Sequence, residues 1–141
     1  MTEDDTALAA RIARGHDYPL ARSIGFRIIT LDSTAGIAEC GFLAGEEHLN
    51  AIGTIHGGVI VTLLDTAMTI AALGASRHSV MLPTLELKTS FLQAALPGPL
   101  TGFGRMRRLG KSVAFLEGEL RNAAGDVLAV ASATARVLPR K

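Results

Sequence analysis

Cysteine, tryptophan and tyrosine are nearly missing from this 141-residue chain, which has one cysteine, one tyrosine and no tryptophan. The single thiol, Cys40, cannot form an intrachain disulfide, so a reducing, cytoplasmic setting is expected. Five phenylalanines are the only other aromatics, and no base-stacking motif accompanies the basic residues. Nucleic acid is therefore a poor partner. The opening Met1-Thr2-Glu3-Asp4-Asp5 is acidic and has no apolar signal segment, so secretion is not expected. No GxSxG elbow marks a serine-triad hydrolase. His16, His48 and His78 lack metal-ligand spacing and no Cys/His cluster exists, so no metal is expected. Cys40 falls in an expected strand and reads as packing rather than as a nucleophile.

What is present is apolar. Hydrophobic residues make up 48% of the chain and charged residues 19%, enough to build a core and too little charge for disorder. The length fits one domain over 1–141, with 1–20 as an N-terminal helical extension. The formal net charge is +1, but it is unevenly spread. Residues 1–50 carry eight acids and four bases, whereas residues 101–141 carry three acids and eight bases. A basic C-terminal third suits an anionic ligand such as phosphate.

The richest stretch runs from His48 to Gly58 and leads into an apolar run, Val59 to Leu73, that holds one acid, Asp65. A Gly-rich loop feeding a helix lets backbone N–H groups approach a ligand closely. Those first-turn N–H groups lack internal partners and attract negative charge. A carboxylate in an apolar helix is costly without a role or a partner. Together they point to a site where an oxygen gains negative charge while Asp65 drives the chemistry. Gly57 is the better oxyanion donor, because its N–H needs no side-chain chemistry. His56 would polarise a carbonyl or orient the loop; packing or capping is its structural alternative. Asn50 would hold a water or a leaving group, or else cap its own loop.

His56 and Asp65 are nine residues apart, roughly 13 Å along a helix and about half a turn around it. One chain does not easily bring both to one small site. Two antiparallel copies of the helix would, so the spacing predicts a dimer with two shared sites. A membrane span is disfavoured, because the run is short of the roughly 20 residues required and Asp65 sits within it.

Around this centre the pattern predicts a helix over Thr6–Arg14, strands over Gly25–Leu31 and Gly36–Leu43, and the central helix over His56–Leu73. Strands then follow over Thr84–Leu92, Leu100–Arg108, Val113–Arg121 and Val127–Val137. Thr84–Leu92 alternates Leu85, Leu87, Thr89 and Phe91 against Thr84, Glu86, Lys88 and Ser90. Ala129, Ala131, Ala133 and Ala135 make one face of the last strand flat enough for a helix to lie close. The order argues an α+β fold, one long helix wrapped by one antiparallel sheet.

Asn50-Ala51-Ile52-Gly53-Thr54-Ile55-His56-Gly57-Gly58, then Thr62-Leu63-Leu64-Asp65, resembles the hotdog-fold PaaI-like acyl-CoA thioesterases. Pro83-Thr84-Leu85-Glu86-Leu87, Phe91-Leu92-Gln93-Ala94 and Leu109-Gly110-Lys111-Ser112-Val113-Ala114-Phe115 resemble later strands of that family, so the likeness covers about residues 20 to 138. The resemblance implies a hotdog dimer or dimer of dimers that hydrolyses an acyl-CoA thioester to a free acid and coenzyme A. It implies no cofactor beyond the coenzyme A of the substrate. Asp65 would be base or nucleophile, Gly57 and Gly58 with His56 the oxyanion site, and Thr84 a hydroxyl that positions water or Asp65. Arg105, Arg107, Arg108, Lys111 and Ser112 would grip the coenzyme A phosphates, or else form a solvated face. Two alternatives stay open: an acyl-thioester hydratase or dehydratase of the same fold, and a non-catalytic acyl-CoA-binding module.

Overall fold

The apolar run forms one long helix because nothing in it breaks a helix and its large residues recur on one flank. In the computed structural model, which describes all 141 residues, that helix is α3, Gly57–Ala75. Ten of its residues are buried, among them Leu63, Leu64, Ala67, Met68 and Ile70. The opposite flank is not fully covered. Thr62, Asp65, Thr66 and Thr69 form a half-exposed stripe at helical spacing. By length and a mean hydropathy of 1.8 the helix would also suit a membrane span, but the sheet that covers it accounts for its composition.

Before α3 come α1 (Glu3–Gly15), α2 (Pro19–Ser23), β1 (Arg27–Asp32), β2 (Ile37–Ala44) and a 3-10 turn at Glu46–His48. After it come β3 (Val80–Met81), β4 (Thr84–Phe91), β5 (Gly98–Leu109), β6 (Val113–Asn122), β7 (Val127–Arg136) and β8 (Leu138–Pro139). Six strands form one antiparallel sheet in the order β1-β2-β5-β6-β7-β4, and β3 pairs with β8 as a separate ribbon. This is the α+β arrangement expected. The differences are α2 and the β3–β8 ribbon, both too short to leave a periodic signal, and a start of α3 at Gly57 with His56 as its cap.

Small residues let the sheet close on the helix. Ala129, Ala133 and Ala135 of β7 are buried against it, as the alanine row predicts. On β5, a Cβ at Gly104 would collide with the Ala67 carbonyl of α3. Only glycine permits that approach. The result is one core of 29 buried residues, which includes Leu8, Ala9 and Ile12 of α1. Cys40 lies fully within it, and burial pushes its thiol up to about 12, with Glu39 adding to the effect. The thiol therefore stays protonated and unreactive at neutral pH.

The N-terminal helix is tied down by an acid. Thr2 caps α1 by accepting the Asp5 N–H, and the Asp5 carboxylate reaches across to accept the Ser33 N–H at 3.3 Å. The Ser33 hydroxyl is the main cause that holds Asp5 below its ordinary value of 3.8, helped by the Ser33 N–H, Thr2 and the Arg77 charge and opposed by burial. A carboxyl depressed by folding stabilises above its unfolded value, and that gain is lost as pH falls through the folded one. Asp5→Asn should lower Tm by a few degrees at about pH 7. The gap should narrow as pH falls below the ordinary value of 3.8 and through the lower folded one, as checked by thermal melts of both proteins.

Candidate active site

A helix start leaves four N–H groups in search of acceptors, and here three find one. The Gly58 N–H donates to Nδ1 of His56 at 2.8 Å. The Val59 and Ile60 N–H groups donate to the His56 carbonyl at 2.9 and 3.2 Å. The Gly57 N–H alone has no partner. Because His56 Nδ1 accepts, the ring carries its proton on Nε2, a second donor on an exposed side chain. The helix start therefore carries a free backbone donor on Gly57 and a free imidazole donor on the residue before it. His56 both caps the helix and keeps a hydrogen for a ligand.

Asn50 closes the loop ahead of the cap. Its Oδ1 accepts the N–H groups of Ile52 and Thr54, each at 3.1 Å, and its Nδ2 donates to the Thr54 hydroxyl at 2.9 Å. One side-chain N–H remains for anything else. His48 is the residue that sequence reasoning missed. Its side chain is 9% exposed, its Nδ1 accepts the Gly45 N–H at 3.0 Å, and its carbonyl accepts the His56 N–H at 2.8 Å. A chain of bonds thus runs from Gly45 through His48 and His56 to Gly58. The only sequence signal was its place eight residues before His56.

Asp65 lies more than two turns along α3, half-buried. The Thr84 hydroxyl donates to its Oδ1 at 2.7 Å, which leaves Oδ2 free. Simple alternation sets Thr84 on the face away from the helix, with Glu86 and Lys88. The pairing instead slips between Thr84 and Glu86, so Thr84 stands opposite Ala135 while Glu86 stands opposite Thr134. A bulge of this kind re-aims a side chain, and it turns Thr84 to the helix side. At the other end of β4, the Phe91 ring packs against Gly57, 3.3 Å from where a Cβ would stand. β4 therefore lies antiparallel along α3, its Thr84 end at Asp65 and its Phe91 end at the helix start. No hydrogen bond joins His56 to Asp65 within the chain.

The basic residues divide between two places. On β5, Gly102 and Gly104 meet α3, so Phe103 and Arg105 point to the outer face of the sheet. Arg105 lines a groove of about 580 Å³ there with Lys88 and Glu119, and Arg107 pairs with Glu117 at 3.6 Å. Arg108, past a second bulge, stands opposite Phe115 on that same face. The sheet thus separates all three arginines from the Asp65 side. Lys111 and Ser112 turn the β5–β6 hairpin and are placed differently. The Ser112 carbonyl accepts the Val137 N–H and the Pro83 carbonyl accepts the Arg136 N–H, each at 2.8 Å. This puts the hairpin beside Thr84. No three His, Cys, Asp or Glu side chains gather anywhere to hold a metal ion.

An oxyanion-type donor pair and a carboxylate held by a hydroxyl are the parts of an acyl-transfer site. Residues 52–129 match the family model of the thioesterase superfamily. The chain belongs to that superfamily. It is similar to human acyl-coenzyme A thioesterase 13, with 35% identity over 104 residues that cover 72% of this chain and 74% of that protein. It is also similar in structure to the phenylacetic acid degradation-related protein of Ralstonia eutropha JMP134. There the TM-score is 0.82 at 31% identity, with 92% of this chain and 99% of the other covered. The E. coli PaaI protein superposes with a TM-score of 0.82 at 22% identity, over 95% of this chain and 96% of the other, a likeness of fold. The chain is a hotdog-fold, PaaI-like thioesterase. Thioester hydrolysis stands in place of the hydratase and binding-module alternatives.

In this thioesterase His48 should act through His56. His48→Asn keeps an acceptor at the position of Nδ1 and should retain most activity, whereas His48→Leu orphans the Gly45 N–H. That loss should cost about 1–3 kcal/mol of stability. The Leu variant should also lower kcat by about tenfold or more through the loosened cap. Urea melts and thiol-release kinetics of the two variants check both.

Proposed function

We propose that the protein hydrolyses acyl-CoA thioesters in sites shared between two copies of the chain, the Gly57 N–H of one facing the Asp65 of the other. The supporting observation is the edge strand β4. An exposed, long, apolar strand edge pairs with another strand unless it is blunted. The far edge, β1, is blunted: it is six residues long, is bulged between Ile28 and Thr30, and has α1 packed against it. β4 is eight residues long and uncovered, and Leu85 and Phe91 are 57% and 53% exposed along it. Two β4 strands paired antiparallel about a two-fold axis near their middle set the Thr84 end of each against the Phe91 end of the other. Thr84 holds Asp65 and Phe91 touches Gly57. The partner's Asp65 then comes to the helix start that carries the free N–H.

In that site the thioester oxygen accepts from the Gly57 N–H and from Nε2 of His56. Both donors strengthen as negative charge grows on the oxygen in the tetrahedral state. The partner's Asp65, oriented by Thr84 through Oδ1, uses Oδ2 either to draw a proton from water or to attack the carbon and form an anhydride. In the water route, collapse releases the free acid and the coenzyme A thiolate, which takes the proton that Asp65 drew. In the anhydride route, collapse releases the thiolate, which takes a proton from solvent, and water then cleaves the anhydride to the free acid and restores Asp65. The hairpin Lys111, beside Thr84, is the cation placed to meet a phosphate of coenzyme A; the three outer-face arginines are not. Coenzyme A arrives with the substrate and no other cofactor takes part. A reducing cytoplasm suits a chain whose one thiol is buried.

Two substitutions separate the parts. Asp65→Asn should fold and assemble normally and lower kcat roughly a thousandfold or more. Gly57→Pro removes the N–H but also adds a ring whose Cβ stands 3.3 Å from Phe91, so Gly57→Ala, which adds the same Cβ and keeps the N–H, is its steric control. Proline is favoured at the first helical position, and His56 already has the extended φ of −57° and ψ of 135° that a following proline requires. Gly57→Pro should lower kcat by about a hundredfold or more while helix content by circular dichroism stays unchanged. Normal turnover in either variant would remove that group from the mechanism.

A further inference from the structure

Phe91 is a large aromatic side chain that the core does not use. One ring edge lies against the first residue of α3, with Cζ and Cε1 at 3.3 and 3.4 Å from a Cβ built on Gly57. More than half of the side chain faces outward. The chain that follows is apolar and exposed too, with Leu92 and Leu96 in a loop that the Ile55 N–H fastens at Ala95.

A thioester oxygen held by the Gly57 N–H places its carbonyl carbon about 4 Å from that nitrogen. One substituent on that carbon then starts within van der Waals reach of the Phe91 ring. The two substituents differ in chemistry. The sulfur leads into pantetheine, whose amides lose hydrogen bonds with water against a bare ring. The acyl carbons lose nothing there and gain contact.

We propose that Phe91 is a specificity-determining residue, the wall against which the first carbons of the acyl group lie. This rests on the reading of Gly57 as the oxyanion donor. A ring fixed between β4 and the helix start crowds the carbon next to the carbonyl. It admits straight acyl chains and resists branching at that carbon.

The test compares wild type, Phe91→Leu and Phe91→Ala on butyryl-CoA and on the α-branched isobutyryl- and pivaloyl-CoA, with free coenzyme A as a product inhibitor. The ratio of kcat/KM for branched over straight substrate should rise by about tenfold or more in Phe91→Ala, with Phe91→Leu between. Inhibition by free coenzyme A should stay unchanged. A constant ratio with weakened inhibition by coenzyme A would put the ring on the thiol side and overturn the proposal. A common fall on all three substrates would also overturn it, by making the ring a structural brace only. No thiol release by wild type from any acyl-CoA would instead overturn the acyl-CoA reading. Full activity of Gly57→Pro would overturn the oxyanion reading. The ring is exposed in the single chain, so both Phe91 variants should fold, as circular dichroism verifies; it also lies at the proposed β4 seam, so size-exclusion chromatography verifies that both still assemble.

Discussion

The hydrogen bond from the Thr84 hydroxyl to Asp65 decides which end of an unpaired strand carries the acid. Everything proposed about assembly follows from that tie and from the Phe91 contact at the other end. A helix fixes the spacing of its residues, so Asp65 and His56 cannot approach one another by any local adjustment of α3. The chain meets this limit by laying β4 antiparallel beside the helix. Under the proposed pairing, symmetry about that edge would exchange the two ends, and a second copy would supply what one copy holds at arm's length.

The sheet makes this possible by staying thin over the helix. Alanines on β7 and glycines on β5 and β6 bring the backbones close, so α3 is clasped on its apolar flank. Its other flank keeps the half-exposed stripe that holds Thr62, Asp65, Thr66 and Thr69. An acid within a nearly all-apolar helix is therefore not a charge sunk in the core. It stands at the margin of the core, where a hydroxyl satisfies one oxygen and the other stays open. The cap at the opposite end follows the same economy. His56 quiets one donor with Nδ1, its carbonyl quiets two more, and a single N–H is left to act.

Long periodic features were legible in the sequence: the apolar helix, its loop, the alternating strands and the alanine row. So was the incompatibility of His56 and Asp65 in one small site, because helix geometry alone dictates it. Local register was not. The slip between Thr84 and Glu86 leaves no mark in the residue pattern, so alternation alone does not show that Thr84 turns to the helix side. The basic cluster divides for a related reason. Arg105, Arg107 and Arg108 are near one another in the chain, but strand alternation and a second bulge put them on the outer face, whereas Lys111 and Ser112 turn toward Thr84. His48 looked like an isolated histidine because its role is made of backbone bonds, which side-chain patterns do not display.

The shared site is tested most directly by complementation. Chains carrying Asp65→Asn and chains carrying Gly57→Pro, each inactive alone, are coexpressed with different tags, and the mixed assemblies are assayed for thiol release. A site built from two chains predicts that each mixed pair regains one intact site of its two, so mixed pairs isolated through both tags recover about half of wild-type activity. Mixed pairs that form and yet remain as inactive as their parents would contradict the account.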